Sequence, residues 1–338
     1  MSDHSTIEWT DATWNPVTGC SLESPGCKLC YAMKLAGTRL KNHPSRAGLT
    51  TMTSAGPVWT GEIRVNEGWM EQPLQWTRPR MIFVCAHGDL FHEEVPDAVI
   101  DRVFAVMALA RRHTFQVLTK RARRMRQYFA HPVREALIGK QIAQLEFAYS
   151  GNPMSVWTGL PLYNVWLGVS AEDQRRADER ISELLDVRAA VRYLSLEPLL
   201  GPIQLNAQLL TRVETGSQAG QRFIDWVIVG GESGQGARPM HPDWARSLRD
   251  QCHAAGTAFF FKQWGEWMPR GPESWGYPLI DGVPRVRLTD TGEDGSDLGS
   301  GGDHHVWMQR PGKKATGRLL DGRTWDEMPN AAGGVAPC

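Results

Sequence analysis

From residue 81 to 262 the chain repeats one pattern: a short run of aliphatic, β-branched or aromatic residues, a polar turn, then a stretch with helical spacing. That alternation is the mark of βα units, and it constrains the fold more than any other feature, because a helix after each strand returns the chain to the same sheet edge. The runs are 81–86 (MIFVCA), 114–119 (TFQVLT), 165–170 (VWLGVS), 191–196 (VRYLSL), 226–231 (WVIVGG) and 258–262 (AFFFK). With one more strand before residue 20 they predict an α/β fold with about six to seven parallel strands. A length of 338 residues suits one large domain with additions, and 41% apolar residues are enough to fill its core.

The helices between the runs follow from spacing. Residues 97–112 put Ile100, Val103, Phe104, Met107 and Ala110 on one stripe, and Asp97 after Pro96 is placed to cap its start. Residues 171–188 repeat the arrangement with Ile181, Leu184 and Leu185. Trp244, Leu248 and Cys252 line a helix that Pro242 opens. Two segments break the rhythm: 42–80, with one expected strand over 61–65, and 131–163, which reads as a helical insertion followed by a loop. The domain expectation is therefore a βα body over 1–267, with a cysteine loop at 19–31, and a C-terminal extension over 268–338. Within the extension, 290–304 (DTGEDGSDLGSGGDH) has the composition of a mobile acidic and glycine-rich loop.

The charges balance, with 37 basic and 37 acidic residues, so no global attraction to nucleic acid or membrane is expected and any polyanion site must be local. The start of the chain, MSDHSTIEWTDATW, lacks a basic segment followed by an apolar run, and no 18 consecutive apolar residues occur. The expectation is a soluble, cytoplasmic protein with no membrane partner. In such a reducing compartment six cysteines do not form a disulfide framework, and three of them fall within eleven residues.

Those three, Cys20, Cys27 and Cys30, stand in the string TGCSLESPGCKLCYA. Three neighbouring thiolates can hold three corners of a four-iron cluster and leave one iron open as a substrate site. Gly19, Pro25 and Gly26 let the loop curl, and a helix over 31–40 would aim its positive end at the cluster. The alternative is a structural zinc site completed by His4 or His43, although only one Cys-x2-Cys pair is present and no paired histidines accompany it.

A cysteine triplet just after a first strand, ending in Cys-x2-Cys-Tyr and followed by βα units, resembles the radical S-adenosylmethionine superfamily. The resemblance covers about residues 9–267 and implies a partial (β/α), TIM-like barrel with insertions and a C-terminal extension. More closely, WTDATWNPVTGC, SPGCKLCYA, HGDLFHE, NVWLGVS, LSLEPLLGPI, VIVGGESG and FFFKQWG resemble a phage and prophage family of three-cysteine proteins with no assigned function. Two departures from the superfamily pattern stand out: the first cysteine spacing is six residues where three is usual, and Leu29 replaces the usual aromatic before the last cysteine. The resemblance implies a [4Fe-4S] cluster, S-adenosylmethionine as cofactor, a one-electron donor, and hydrogen abstraction from a substrate by a 5′-deoxyadenosyl radical.

Strand ends are where reacting groups gather in barrels of this kind. They carry Asp89, Lys120, Ser170, Glu172, Glu197, Glu232 and Lys262, though each acid can equally serve as a helix cap. By the resemblance, Gly88 and Asp89 lie where the methionine amino group is held, Ser170 and Glu172 where ribose hydroxyls are met, and Lys120 can neutralise the carboxylate. Gly230-Gly231-Glu232 either admits a ligand, adenine being the expected one, close to the backbone or is a tight turn. Cys85 reads as a strand residue, either a hydrogen relay or a buried apolar group, while Cys252 and Cys338 read as incidental. His92, His253, His304 and His305 form no ligand pattern.

Residues 111–126 (RRHTFQVLTKRARRMR) hold seven basic side chains that can either steer a phosphate backbone or form a solvated helix face. Trp264 and Trp267 can stack a base or pack a core, and Lys262 and Arg238 are further substrate candidates. Lys313, Lys314, Arg318 and Arg323 form a second basic group. The substrate expectation is a nucleic acid or nucleotide. A peptide or small metabolite is the alternative, as is a non-enzymatic, zinc-stabilised module that binds nucleic acid or a protein partner.

Overall fold

The structure, a computed structural model, describes Ser5 and residues 7–150, 157–210, 223–292 and 305–329. His4, His304, Cys338 and most of the 290–304 loop lie outside the described residues. The chain divides into two compact units: the first holds Met1–Val169 and Arg180–Arg192, the second Ser170–Glu179 and Tyr193–Asn330. Among the described residues the parallel strands number seven, with helices between them, and the class is the expected α/β partial barrel.

The first unit runs β1 (Ala12–Trp14), β2 (Val17–Thr18), α1 (Tyr31–Gly37), β3 (Thr50–Thr53), β4 (Gly56–Trp59), β5 (Arg64–Val65), α2 (Gln72–Gln75), β6 (Met81–Val84), α3 (Asp97–Leu109), β7 (Thr114–Thr119), α4 (Ala122–Phe129), α5 (Arg134–Ser150) and β8 (Val165–Ser170). Its strands β1, β6, β7 and β8 lie parallel in that order, with Trp14 beside Val84, Val84 beside Val117 and Val117 beside Leu167. Trp14, Ile82, Phe115, Val117 and Val169 are buried, as a parallel sheet covered on both faces requires. The stripe Ile100, Val103, Phe104 and Met107 of α3 is buried as expected. Asp97, however, does not cap that helix: Pro96 holds the cap position, and the Asp97 carboxylate is paired with Arg124 and Arg134. In the 42–80 segment only β5 falls within the expected strand; a β3–β4 hairpin and α2 had no clear signal in the sequence.

In the second unit α6 (Gln174–Leu185) begins before β9 (Val191–Leu196), α7 (Ala207–Leu210), β10 (Trp226–Gly230), α8 (Pro242–Ala255), β11 (Ala258–Gln263), β12 (Met268–Pro269), β13 (Arg285–Thr289), β14 (His305–Gln309) and α9 (Lys313–Thr316). Strands β9, β10 and β11 are parallel, with Ser195 beside Ile228 and Ile228 beside Phe260. Helix α8 opens on Pro242, with His241 Nδ1 accepting from Asp243 N at 3.2 Å, and stops at Gly256, whose φ of +71° suits a residue without Cβ. Its face of Trp244, Leu248 and Cys252 is buried. The extension adds a three-stranded antiparallel sheet, β12-β14-β13. Its last described stretch then runs along β11: Phe261 N donates to Trp325 O at 2.9 Å, Phe260 and Asp326 form an antiparallel bridge, and Phe259 N donates to the Glu327 carboxylate at 2.9 Å. Among the described residues no helix is long and apolar enough to cross a membrane.

Candidate functional site

The cysteine loop leaves β2 and is stitched to the turn that follows β6. Gly19 N donates to His87 O at 3.1 Å, and His87 N donates to the buried Asn15 side chain at 3.0 Å. The loop can pass only because Gly19 is glycine: its φ is +96°, and a Cβ there would sit 2.3 Å from Glu62 O. A Cβ on Gly88 would stand 3.0 Å from Gly19 O, so Gly88 serves the passage of the loop. Cys27 ends a short turn at Pro25–Cys27, Cys30 N donates to Cys27 O at 3.3 Å, and Cys30 O accepts the first bond of α1 from Lys34 N at 3.0 Å. Ala32, Met33, Ala36, Leu49 and Trp59 form an apolar cluster on which Cys20 and Cys30 pack. Helix α1 ends at Gly37, short of the expected residue 40, and seven residues do not make an anion site of its N-terminus.

One cation organises the loop. The side chain of Arg121, only 2% exposed, donates to Asp89 Oδ2 at 3.1 Å, to Glu93 Oε2 at 2.8 Å and to Ser21 Oγ at 2.7 Å, and its Nη1 lies 3.5 Å from Cys20 Sγ. Asp89 is buried beneath it and also accepts from Thr119 Oγ1 at 2.7 Å, Phe91 N at 3.0 Å and Lys120 N at 3.2 Å. Both of its oxygens are thus engaged by the protein. Ser21 Oγ lies 3.0 Å from His92 Nε2, which draws His92 into the same network.

Burial, and then the charge of Asp89, pushes the Cys20 thiol up to about 12 against the opposing pull of Arg121. Cys30 is raised too, by burial first, while Lys120 pulls it down. Cys20 interacts electrostatically with both other thiols, as Cys30 does with Cys27. Three sulfurs of one loop, mutually coupled and faced by Arg121 and Lys120, fit an anionic iron–sulfur cluster in donor type and charge. Among the described residues, no group of three or more His, Cys, Asp or Glu side chains is gathered closely enough to hold a single metal ion.

A second group lies in the other unit. Lys262 Nζ is 3.2 Å from Glu197 Oε2, which also accepts from Ser195 Oγ at 3.4 Å. Ser170 Oγ donates to Glu197 O at 3.3 Å, and Glu172 is buried with its carbonyl accepting from Leu200 N at 2.8 Å. Ser170, Glu197 and Lys262 therefore meet. Glu232 is taken up by Arg238, which donates to it from Nε at 2.8 Å and from its backbone N at 2.9 Å.

Several expectations need correction here. A Cβ on Gly230 would lie 2.4 Å from the Glu197 carboxylate and one on Gly231 2.0 Å from Trp264 O, so internal packing already accounts for both glycines without a ligand. Trp264 is 1% exposed and donates its indole N–H to Leu319 O at 2.7 Å; Trp267 is also buried and donates to Ala237 O at 2.6 Å. Neither can stack a base. Of the basic side chains in the 111–126 run only Arg121 is buried; Arg124 pairs with Asp97, Arg126 with Glu183 and Arg112 with Trp76 O at the surface, where Arg111 and Arg123 are exposed as well. Cys85 lies just beyond β6 with φ +56°, fully buried, and its thiol is raised to about 12 by burial, which favours the inert apolar reading. In the tail, Arg318 pairs with Asp326 and Arg323 lies 3.6 Å from the centre of the Trp325 ring.

Arg121 is the residue the sequence reading passes over. Its signals are its membership of the basic run and its place one step beyond Lys120, just past the end of β7. Arg46 is a second one. It is buried with no carboxylate within ion-pair distance among the described residues, and burial lowers it to about 10. Its charge is the next largest cause, after burial, of the fall of His87 to about 4, so His87 is neutral at pH 7.

Fold and loop together define an α/β partial barrel protein with a three-thiol loop after its first parallel strand. Residues 4–329 match the family described as protein of unknown function (DUF5131), and the chain belongs to that family. No curated protein matches the chain. Among solved structures it is similar to a cysteine-to-serine mutant of spore photoproduct lyase, with 10% identity over 90% of this chain and 70% of that one, at a TM-score of 0.37.

Proposed function

We propose that this protein is a radical S-adenosylmethionine enzyme in which Cys20, Cys27 and Cys30 hold a [4Fe-4S] cluster. The observation that carries the reading is the three-sulfur loop, coupled within itself and faced by the buried Arg121 and by Lys120. When bound and reduced by a one-electron donor, the cluster would supply cleavage of the S-adenosylmethionine sulfonium and hence a 5′-deoxyadenosyl radical able to abstract hydrogen. The chain's own part is to fix the loop and keep water from it. Arg121 ties Cys20 and Ser21 to Asp89, and the apolar cluster behind α1 seats Cys30. In this reading Asp89 acts through Arg121 and Lys120 is the candidate for cofactor contact beside the loop; Ser170, Glu172, Glu197 and Lys262 are ligand candidates of the second unit taken by itself.

The substrate we infer is a nucleic acid or nucleotide, and a separate protein is a natural electron donor. Anaerobic reconstitution with iron and sulfide, followed by an assay for 5′-deoxyadenosine, tests the chemistry. The expected result is about four irons per chain, product formation with a reductant, and loss of both in Cys27→Ala. Zinc in place of iron, or a Cys27→Ala protein that keeps iron and product, would overturn the reading.

A further inference from the structure

The C-terminal antiparallel sheet presents a row of side chains that the cysteine chemistry does not use. Strands β13 and β14 pair with Arg287 directly opposite Trp307 and Arg285 opposite Gln309. On the other side of β14, Met268 and Pro269 of β12 pair with Gln309 and Met308, and Arg270 N continues the ladder by donating to Trp307 O at 2.8 Å. Directly opposed residues of antiparallel strands share a face. Arg270, Trp307 and Arg287 therefore stand in one line across three strands, roughly 10 Å from one outer strand to the other.

That line has the build of a stacking platform. Trp307 is 44% exposed, unlike the buried Trp264 and Trp267, and the Arg287 guanidinium lies 5.8 Å from its ring centre. Leu288 and Met308, which alternate with Arg287 and Trp307, are buried; on the face of Trp307 itself Gln309, Met268 and Thr289 are buried too, so the open part of that face is the line through Trp307. Arg287 contacts His305, and Arg285 is held by Asp281 at 3.1 Å. Arg270 has no carboxylate within ion-pair distance among the described residues, and its buried Nε has no hydrogen-bond partner there. An exposed ring with one guanidinium against it and a second arginine on the same face by register matches a ligand that alternates flat bases with anionic phosphates.

We propose that this face binds single-stranded nucleic acid, with a base stacked on Trp307 and the flanking phosphates on Arg270 and Arg287. A duplex hides the faces of its bases within the stack and cannot use the ring, and an acidic polypeptide offers charge without a base. Binding here does not rest on the cluster. A protein that held an oligonucleotide but made no 5′-deoxyadenosine would keep this proposal and lose the preceding one.

The test is fluorescence anisotropy of the full-length protein with a labelled twenty-nucleotide oligothymidylate, the matching duplex with its complement, and polyglutamate, over a salt series. The expected order is single strand, then duplex, then polyglutamate. Trp307→Ala should weaken the single strand by about 10-fold or more, and Trp307→Phe, which keeps an aromatic face, should retain most of the affinity. Arg270→Ala and Arg287→Ala should each lower the slope of log affinity against log salt by about 1. Circular dichroism melts verify that each variant is folded. Equal binding of single strand and duplex, equal binding of polyglutamate, or a folded Trp307→Ala protein with unchanged affinity would overturn it.

Discussion

Replacing Arg121 by Met removes the cation that, among the described residues, lies against both Asp89 and Cys20. The loss can be worked out from its contacts. The bond to Glu93, whose side chain is 59% exposed, is worth at most about 1 kcal/mol. The pair with Asp89 is different, since both side chains are under 10% exposed, and deleting one partner of such a buried pair costs about 3–5 kcal/mol. Asp89 would keep the Thr119 hydroxyl and two backbone N–H groups, all neutral, so the lower half of that range is expected. Asp89→Asn alone should cost a comparable amount, because it leaves Arg121 facing a neutral amide. The double variant removes both charges, so the two losses should fall short of additive by about 2 kcal/mol. Urea unfolding of the metal-free protein under reducing conditions measures all four corners of the cycle. A coupling below about 0.5 kcal/mol would refute the reasoning, since contacting charges in one network cannot behave as independent sites.

Two further expectations concern regions away from the loop. Gly231→Ala should destabilise by about 3 kcal/mol or more, because its Cβ would meet backbone that cannot rotate away, whereas Gly68→Ala, with open space around it, should be neutral or stabilising by up to about 1 kcal/mol; thermal melts compare them. Burial alone would raise the carboxyl of Asp321, but hydrogen bonds from Arg246 and Arg249, at 2.7 and 2.9 Å, hold it below its usual value. A lowered folded value means that the contribution is full above about pH 4 and is lost as pH falls through the folded value. Asp321→Asn, a side chain that accepts the φ of +54° there, should therefore cost about 1–3 kcal/mol at pH 7, with the gap to the parent closing below pH 4 in urea titrations.

The parallel strands could be read from the sequence because each is a nearly continuous apolar run bounded by turn residues, and such runs have few alternatives in an alternating chain. The β3–β4 hairpin escaped the same reading, because TTMT is polar and largely exposed and GPVW contains two residues that weaken strands. The cysteine loop announces itself by composition alone. Its supporting cation does not, since Arg121 meets Ser21 and Cys20 across about a hundred positions of sequence. Trp264 and Trp267 misled for a related reason: an indole looks the same in sequence whether its N–H ends on a distant carbonyl or its face meets solvent. The Arg270, Trp307 and Arg287 row is likewise invisible until the strand register brings three separate segments side by side.

Strand β11 is an outer strand carrying three consecutive phenylalanines, and residues 325–327 of the tail occupy its open hydrogen-bonding side. Left bare, a hydrophobic rim of that kind recruits the same rim of another molecule. Anyone shortening the gene should therefore expect inclusion bodies from a boundary drawn between the end of β11 and residue 325, and soluble material from one drawn after 329.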